Sequence, residues 1–505
     1  MTALDLSSPV AVVGSGTMGQ GIAQVALVAG HPVRLYDAVP GRAREAAAAI
    51  GARLDRLVEK ERLTGAERDA AWARLRPAGS LAELADSALV VEAVPERLDV
   101  KRDLLRELED VVAEDCLLAT NTSSLPVTAV GGALRVPGRF VGLHFFNPAP
   151  LLPLVEVVSG SATDVTSATR AYETARAWGK TPVACADTPG FIVNRVARPF
   201  YAEAFAVYEA HGADPATIDA VLRECGGFRM GAFELTDLIG QDVNESVTHS
   251  VWQSLFQDVR FTPSLAQRRL VESGRAGPQV RTGLVRLPGR RRAPRAAHRG
   301  DRPAARVRRR RGRSGPRVRP ARADPRGGRP GARGGRGPRH PAGAAQRRAA
   351  GARRRPDLGG VPGRRLLRPR PGLPPGGRIA LSASQDTSPQ TLAEATGLFQ
   401  ALGKKVSVIG DVPGMIVART VARIVDLAHD AVAKGVATEE DIDTAMRLGV
   451  NYPLGPFEWS RRLGRSWAYA LLDDLHLRDP SGRYAPSLAL YRHAYATDKR
   501  EGSTS

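Results

Sequence analysis

Apolar residues in the N-terminal third of the chain are grouped into short runs, separated by segments with helical spacing. The runs at 10–13, 32–36, 88–94, 117–120, 139–146 and 153–158 predict β-strands. The segments 20–29 and 99–112 predict helices, and Gly30 follows the first of them as a stop signal. Strands that alternate with helices predict an α/β domain with an open sheet.

The second half of the chain repeats part of the first half at a constant offset of 224 residues. Residues 187–195 (DTPGFIVNR) align with residues 411–419 (DVPGMIVAR) without a gap. This repeat predicts duplicated all-α helical lobes. Asn194 is replaced by Ala418 in the second copy, so we expect the second lobe to pack structurally, as a partner subunit's lobe would.

Positive charge is concentrated in one segment of the chain. The whole chain carries +21, but residues 281–377 contain 31 Arg, 3 Asp and neither Lys nor Glu, which is +28. The other 408 residues therefore carry −7. This division excludes a uniformly basic nucleic-acid-binding fold.

The Arg-rich segment, residues 281–377, also contains 15 Pro and 19 Gly and lacks Ile, Met, Phe, Tyr and Trp, so we expect it to be disordered. One interpretation is a segment that binds RNA, although aromatic residues for base stacking are absent. Another is a shifted reading frame in GC-rich DNA. One permitted back-translation of residues 277–287, read one base later, gives GRKSGRGWYGY. Sequencing the DNA across codons 270–385 separates the two, because an unbroken frame with selected codons excludes a frameshift.

Three widely spaced cysteines (Cys116, Cys185 and Cys225) form neither a disulfide framework nor a metal-ligand cluster. No apolar run is long enough to cross a bilayer. The N-terminus has no basic region followed by an apolar one. We therefore expect a reduced, soluble, cytoplasmic protein that binds no metal.

A glycine motif, Gly14-x-Gly16-x-x-Gly19, lies between the first predicted strand and the first predicted helix, and Asp37 ends the second strand. Gly14 permits a tight turn, Gly16 lets the backbone approach a pyrophosphate, and Gly19 lets the helix pack on the strand. Asp37 lies where a carboxylate accepts hydrogen bonds from the ribose hydroxyls and repels a 2′-phosphate. The pattern predicts a dinucleotide site that prefers NAD to NADP.

His144 and Glu156 lie on consecutive predicted strands and are candidates for a catalytic pair. An enzyme that moves a hydride from an alcohol must also remove the hydroxyl proton. A neutral His does this near pH 7, and a carboxylate holds its tautomer. A single His is more often a core residue, but its place after a dinucleotide domain favours the catalytic interpretation.

The segments GSGTMGQGIAQ, VVEAVPE, NTSSLP, GLHFFNPAPLLPLVEVV and DTPGFIVNR, in this order, closely resemble the L-3-hydroxyacyl-CoA dehydrogenase family. The length resembles the long bacterial form of that family, the 3-hydroxybutyryl-CoA and 3-hydroxyadipyl-CoA dehydrogenases, the latter serving phenylacetate catabolism. The resemblance covers residues 8–276 and 378–497. GRKSGRGWYGY also resembles the segment that closes the first helical lobe in this family.

The resemblance implies roles for particular residues of this chain. The family's catalytic His and its orienting Glu match His144 and Glu156, and its substrate-contacting Ser and Asn match Ser123 and Asn194. Its cofactor contacts match a further set, namely Asp37, Glu96, Lys101 and Asn147, beside Gly14, Gly16 and Gly19. From the residues alone, a solvated helix start explains Glu96 and Lys101 equally well.

The resemblance also implies a domain order and an activity. We expect a Rossmann-like NAD-binding domain at 1–185, a first helical lobe at 186–276, the out-of-frame and disordered segment at 277–377, a remnant of a reduced Rossmann-like domain at 378–410 and a second lobe at 411–497. The implied reaction is NAD-dependent oxidation of (S)-3-hydroxyacyl-CoA, of short chain or of the 3-hydroxyadipyl type, by a homodimer. A dehydrogenase of a free hydroxy or sugar acid such as L-gulonate, an RNA-binding protein and a damaged gene product are the alternatives.

Overall fold

A computed structural model of the chain describes residues 2–275, 284, 377–384 and 386–496. The Arg-rich segment, predicted to be disordered, lies outside the described residues apart from Leu284 and Gly377. The strands in the described part are β1 Val10–Val13, β2 Val33–Tyr36, β3 Leu75–Pro77, β4 Leu89–Glu92, β5 Leu117–Thr120, β6 Phe140–Phe145, β7 Leu154–Ser159, β8 Thr181–Ala186, β9 Arg378–Ser382 and β10 Lys405–Ile409.

The helices of the N-terminal half are α1 Thr17–Ala29, α2 Arg42–Glu59, α3 Gly65–Ala73, α4 Leu98–Val111, α5 Val127–Gly131, α6 Val165–Ala177, α7 Val193–Val196, α8 Arg198–Glu209, α9 Pro215–Glu224, α10 Ala232–Ile239, α11 Gln241–Ser254 and α12 Leu265–Glu272. Those after the Arg-rich segment are α13 Pro389–Ala401, α14 Val417–Ala433, α15 Glu439–Gly449, α16 Pro456–Leu463, α17 Trp467–Arg478 and α18 Leu488–Tyr495. No helix in the described ranges is both long and apolar enough to cross a membrane.

The first eight strands form one sheet in the order β3-β2-β1-β4-β5-β6-β7-β8. Neighbouring strands are parallel, except that β7 runs antiparallel to β6. Every residue of the central strands β1, β4 and β5 is buried, as expected for strands covered by helices on both faces. The helix after β1 ends where predicted, because Gly30 adopts a left-handed conformation with φ of 118°. The predicted α/β domain with helices after it is confirmed.

The two helical lobes have the same local geometry at equivalent positions. Asp219 accepts hydrogen bonds from two backbone N–H groups at the start of α10, and Asp443 does the same at the start of α16. Phe191 and its counterpart Met415 both have positive φ angles, 49° and 52°. The offset seen in the sequence therefore corresponds to a structural duplication.

The lobes are joined through their long helices, α8 and α14, in one continuous apolar core. Tyr201 and Phe205 of α8 and Ile424 and Ala428 of α14 belong to that core. The second lobe therefore covers the apolar face of the first, as the replacement of Asn194 by Ala418 led us to expect. The short strands β9 and β10 pair in parallel as a separate two-stranded sheet.

Candidate active site

The glycine motif forms a close turn between β1 and α1. Gly14 has a φ of 101°, and a Cβ atom there would lie 2.6 Å from the backbone oxygen of Ala93. A Cβ atom on Gly19 would lie 1.8 Å from the oxygen of Gly14, so only glycine allows the helix to approach the strand. Gly16, the residue before α1, faces open space and no side chain caps the helix. Free N–H groups at this helix start fit the pyrophosphate of NAD.

Asp37 lies at the end of β2, beside the glycine turn. Its Oδ2 accepts hydrogen bonds from the Ser15 backbone N–H (2.9 Å) and hydroxyl (2.6 Å), and its Oδ1 accepts one from the Val39 N–H (3.0 Å). Partial burial opposes ionisation, but these donors outweigh it and lower the pKa of Asp37. The carboxylate is thus held in its charged form at the edge where an adenosine ribose would lie.

Glu96 joins the loops that follow β4 and β5. Its Oε1 accepts hydrogen bonds from the Thr122 hydroxyl (2.6 Å) and from the N–H groups of Ser123 (2.9 Å) and Ser124 (3.0 Å). Partial burial raises the pKa of Glu96, but the positive charge of Lys101 and these donors lower it overall. Glu96 therefore shapes the loop that carries Ser123, at the carboxyl ends of the parallel strands.

Lys101 lies beneath Glu96 and has no exposed side-chain surface. Its Nζ is 2.7 Å from Glu92 Oε1 and 3.3 Å from Glu96 Oε2. This burial contradicts a solvated helix start for Lys101, whereas its expected cofactor contact stays a prediction. In this structure Lys101 positions Glu96. The sequence analysis missed Glu92, although a carboxylate inside the buried strand β4 was itself a signal for a buried cation.

His144 and Glu156 face each other across the antiparallel pair of β6 and β7. The His144 Nδ1 lies 2.6 Å from Glu156 Oε2. Glu156 Oε1 accepts hydrogen bonds from the backbone N–H groups of Ile192 (3.1 Å) and Val193 (2.9 Å). Both oxygens of this fully buried carboxylate are therefore occupied, and the imidazole is fixed with its Nε2 available.

Asn121 and Asn147 flank the catalytic pair. The Asn121 side-chain oxygen accepts a 2.8 Å hydrogen bond from the N–H of Phe145, next to His144, and so ties the end of β5 to β6. This residue was missed at the sequence level, where the motif NTSSLP drew attention to Ser123 instead. Asn147, an expected cofactor contact, is exposed just beyond β6.

Ser123 and Asn194 come together although 71 positions separate them in the chain. The Asn194 amide nitrogen lies 3.5 Å from the backbone oxygen of Ser123, and Asn194 directly follows Val193, which binds Glu156. Loops after β4 and β5, strands β6 and β7 and helix α7 thus place Glu96, Ser123, Asn194, Glu156 and His144 in one connected cluster, in the same sheet whose strand β1 leads into the glycine turn. A base held by a carboxylate next to a dinucleotide cradle suits hydride transfer at a carbon that bears a hydroxyl.

Three family models match this chain. The NAD-binding domain of 3-hydroxyacyl-CoA dehydrogenase matches residues 9–188, and the C-terminal domain of the same family matches residues 190–286 and 414–503. The reduced Rossmann-fold domain of 3-hydroxybutyryl-CoA dehydrogenase matches residues 374–413. The C-terminal domain therefore occurs twice, in agreement with the repeat.

Individual relatives agree with these matches. The 3-hydroxyadipyl-CoA dehydrogenase of Escherichia coli K12 is 41% identical over 496 residues, which cover 96% of this chain and 97% of the relative. The mitochondrial hydroxyacyl-coenzyme A dehydrogenase of Sus scrofa is 36% identical over 284 residues, 55% of this chain and 90% of the relative. A crystal structure of 3-hydroxybutyryl-CoA dehydrogenase from E. coli K12 covers 97% of this chain and 98% of its own, with a TM-score of 0.78 and 37% identity.

The alignment with the E. coli 3-hydroxyadipyl-CoA dehydrogenase spans 96% of this chain and therefore includes the Arg-rich segment. The E. coli protein thus has a middle segment of similar length. Frameshift and RNA-binding interpretations of this segment both remain predictions. The family is determined by the two parts of the chain that flank this segment, through their motifs, their fold and the family models that they match. This protein belongs to the 3-hydroxyacyl-CoA dehydrogenase family.

Proposed function

We propose that this chain catalyses the reversible, NAD-dependent oxidation of a (S)-3-hydroxyacyl-CoA to a 3-oxoacyl-CoA. The observation that carries the proposal is the His144–Glu156 pair, held at 2.6 Å in the same sheet whose strand β1 leads into the glycine turn. When bound, NAD⁺ accepts the hydride from the substrate carbon that bears the hydroxyl. The names of the relatives, which include hydroxyacyl-CoA, hydroxybutyryl-CoA and hydroxyadipyl-CoA dehydrogenases, support this substrate class.

His144 is the general base of the proposed reaction. As hydride leaves the carbon, the substrate hydroxyl gives its proton to His144 Nε2, and the C–O bond becomes a carbonyl. Glu156 accepts a hydrogen bond from Nδ1–H, which keeps the Nε2 lone pair toward substrate and stabilises the imidazolium that forms. In the reverse direction the protonated His144 returns the proton to the alkoxide oxygen.

Ser123 and Asn194 are proposed to hold the substrate oxygen and thioester in place, since they lie against each other and both are only partly buried. Gly14, Gly16 and Gly19 form the pyrophosphate cradle, and Asp37 is proposed to bind the adenosine ribose. Glu96 is proposed to contact the nicotinamide half through the loop that it organises. Asn147, exposed beyond β6, is proposed to lie beside the nicotinamide.

Location and assembly belong to the same proposal. We expect the enzyme to act in the cytoplasm, as its cysteines are free and two of them are buried. A homodimer is proposed, with the second lobe of each chain covering its own first lobe. Nucleic acid is expected to bind only non-specifically, through the Arg-rich segment.

The test is NADH oxidation with acetoacetyl-CoA. We expect turnover by the wild-type chain and a loss of about 10³-fold or more in kcat in His144→Gln, which removes the base. The control His211→Asn changes an exposed His whose φ of 54° suits Asn, and is expected to keep wild-type turnover. Unchanged turnover in His144→Gln contradicts the role of His144. Oxidation of L-gulonate without reduction of acetoacetyl-CoA contradicts the proposed substrate class.

A further inference from the structure

Arg198 on α8 is buried, with 5% of its surface exposed, next to the candidate active site. Its Nη1 donates to the Thr248 hydroxyl (3.0 Å), and its Nη2 donates to the Asn194 side-chain oxygen (3.3 Å). Its Nε has no hydrogen-bond partner among the described residues. Within this part of the chain, no carboxylate lies within ion-pair distance of Arg198. A buried cation without an anion is unfavourable and calls for an explanation.

Other buried arginines of the lobes are paired. Arg195, three residues earlier, lies 3.3 Å from Asp430, and Arg419 lies 2.8 Å from Glu203. The partly exposed Arg223, in the same lobe as Arg198, is paired as well and lies 2.8 Å from Glu234. Arg198 therefore differs from Arg195 and Arg419, because no carboxylate among the described residues neutralises its charge.

The repeat provides an independent observation. The equivalents of Asn194 and Arg198 in the second lobe, at the offset of 224, are Ala418 and Ala422. The equivalent of Arg195 is Arg419, so this arginine is retained in the second lobe. The second lobe has therefore lost Asn and Arg together. Because Arg198 donates a hydrogen bond to Asn194, this joint loss links Arg198 to the site of Asn194 and not to the packing that both lobes share.

The second lobe contributes Tyr452 to the aromatic cluster next to Arg198, because Tyr452 and Tyr201 both pack against Phe200. Tyr452, 5% exposed, packs its ring 5.6 Å from Phe200 and 5.1 Å from Phe228, and its hydroxyl has no described hydrogen-bond partner. The guanidinium of Arg198 lies over the ring of Tyr201, 5.0 Å from its centroid. Burial raises the pKa of the Tyr452 hydroxyl well above its usual range, so it stays a donor, and the nearby Arg198 only partly opposes this.

We propose that Arg198, with the Tyr452 hydroxyl, binds the distal carboxylate of a dicarboxylic acyl chain such as that of 3-hydroxyadipyl-CoA. A carboxylate satisfies an unpartnered guanidinium N–H and an unpartnered O–H at once and neutralises the buried cation. Asn194 lies between Ser123 and Arg198, so the acyl chain would extend past Asn194 toward the junction of the lobes. The inference rests on the proposed function and makes the second lobe part of the substrate site.

The experiment compares 3-oxoadipyl-CoA with 3-oxohexanoyl-CoA, which has the same number of acyl carbons and a methyl group in place of the carboxylate. We expect the wild-type enzyme to prefer the dicarboxylic substrate in kcat/KM. Arg198→Met should reduce that preference by about 100-fold or more, chiefly through KM. Tyr452→Phe should reduce it by about tenfold. Arg198→Lys should restore part of it, because the charge remains but the planar fork is lost.

Arg223→Met is the matched control, since it removes a paired Arg from the same lobe, and the preference should not change. An equal loss on both substrates in Arg198→Met, with the preference intact, overturns the proposal and makes Arg198 a positioning residue for Asn194. If Arg198→Met does not fold, an unchanged preference in Tyr452→Phe and in Arg198→Lys overturns it. Absence of wild-type turnover on acetoacetyl-CoA is a different outcome, the failure of the proposed function itself.

Discussion

Glu203 on α8 and Arg419 on α14 form a buried ion pair, 2.8 Å apart, that joins the two lobes. Glu203 has no exposed surface, and it also lies 3.1 Å from Arg483 and 3.7 Å from Arg423. The Tyr484 hydroxyl donates to it as well, at 3.1 Å. Three arginines therefore share one carboxylate at the junction of the lobes. Loss of this carboxylate is expected to destabilise the fold strongly, because it would leave buried positive charges without a partner.

We predict that Glu203→Gln lowers the free energy of unfolding by about 3–5 kcal/mol, since it leaves buried arginines without an anion. The measurement is urea unfolding followed by tryptophan fluorescence. Asp103→Asn breaks the exposed pair of Arg106 and Asp103 and serves as the control, with only a small change expected. A Glu203→Gln protein as stable as the control would show that the arginines do not depend on this carboxylate.

The same carboxylate predicts an acid limit of stability. Burial alone would raise the pKa of Glu203, but Arg483, Arg419 and Arg423 lower it from 4.5 to about 2. A carboxyl group with a lowered pKa in the folded state stabilises the fold above its unfolded pKa. This contribution is lost as the pH falls from about 4.5 toward 2.

Unfolding midpoints in urea, measured between pH 5 and pH 3, are therefore expected to fall more steeply for wild type than for Glu203→Gln. The variant has no carboxyl group to protonate at this position. Parallel pH profiles for the two proteins would show that protonation of Glu203 does not limit acid stability.

Much of the site was predictable because its residues lie in short local motifs. The glycine turn, Asp37 and the adjacent strands of His144 and Glu156 depend on residues close in sequence, where spacing and strand order determine geometry. Burial of Lys101 was missed, because its signal, the carboxylate of Glu92 inside the buried strand β4, does not name the cation that pairs with it. The proximity of Arg198 and Tyr452 was still less predictable, since residues more than 250 positions apart come to lie around Phe200 only when the lobes pack together.

Glu156 is expected to act on His144 by fixing the tautomer of the imidazole. In Glu156, one oxygen faces the His144 Nδ1–H and the other faces the N–H groups of Ile192 and Val193. Glu156→Gln keeps only one of these oxygens, so its NH₂ group faces another donor on one of the two sides. We predict a fall of about 10²–10⁴-fold in kcat with acetoacetyl-CoA, by analogy with other His-carboxylate pairs. The dissociation constant for NADH, measured by fluorescence titration, should stay near that of wild type.

Glu114→Gln, at an exposed position, is the matched control for Glu156→Gln and should keep wild-type kcat. A large loss of NADH affinity in Glu156→Gln would indicate a disturbed sheet and not a changed tautomer. Retention of kcat would show that the carboxylate does not orient the base.

Asp37 is expected to set the preference for NAD over NADP. Hydrogen bonds from Ser15 and Val39 keep its carboxylate charged, and a negative charge at this edge repels the 2′-phosphate of NADP. We predict that Asp37→Asn lowers the ratio of kcat/KM for NADH to that for NADPH by about tenfold or more, since it removes one full charge next to a phosphate. The assay is acetoacetyl-CoA reduction with each cofactor.

Asp86→Asn, which removes an exposed carboxylate paired with Arg34, should leave the ratio unchanged. Because the amide still accepts hydrogen bonds from the ribose, NADPH use should rise more than NADH use falls, and the reverse pattern would point to a binding role without discrimination.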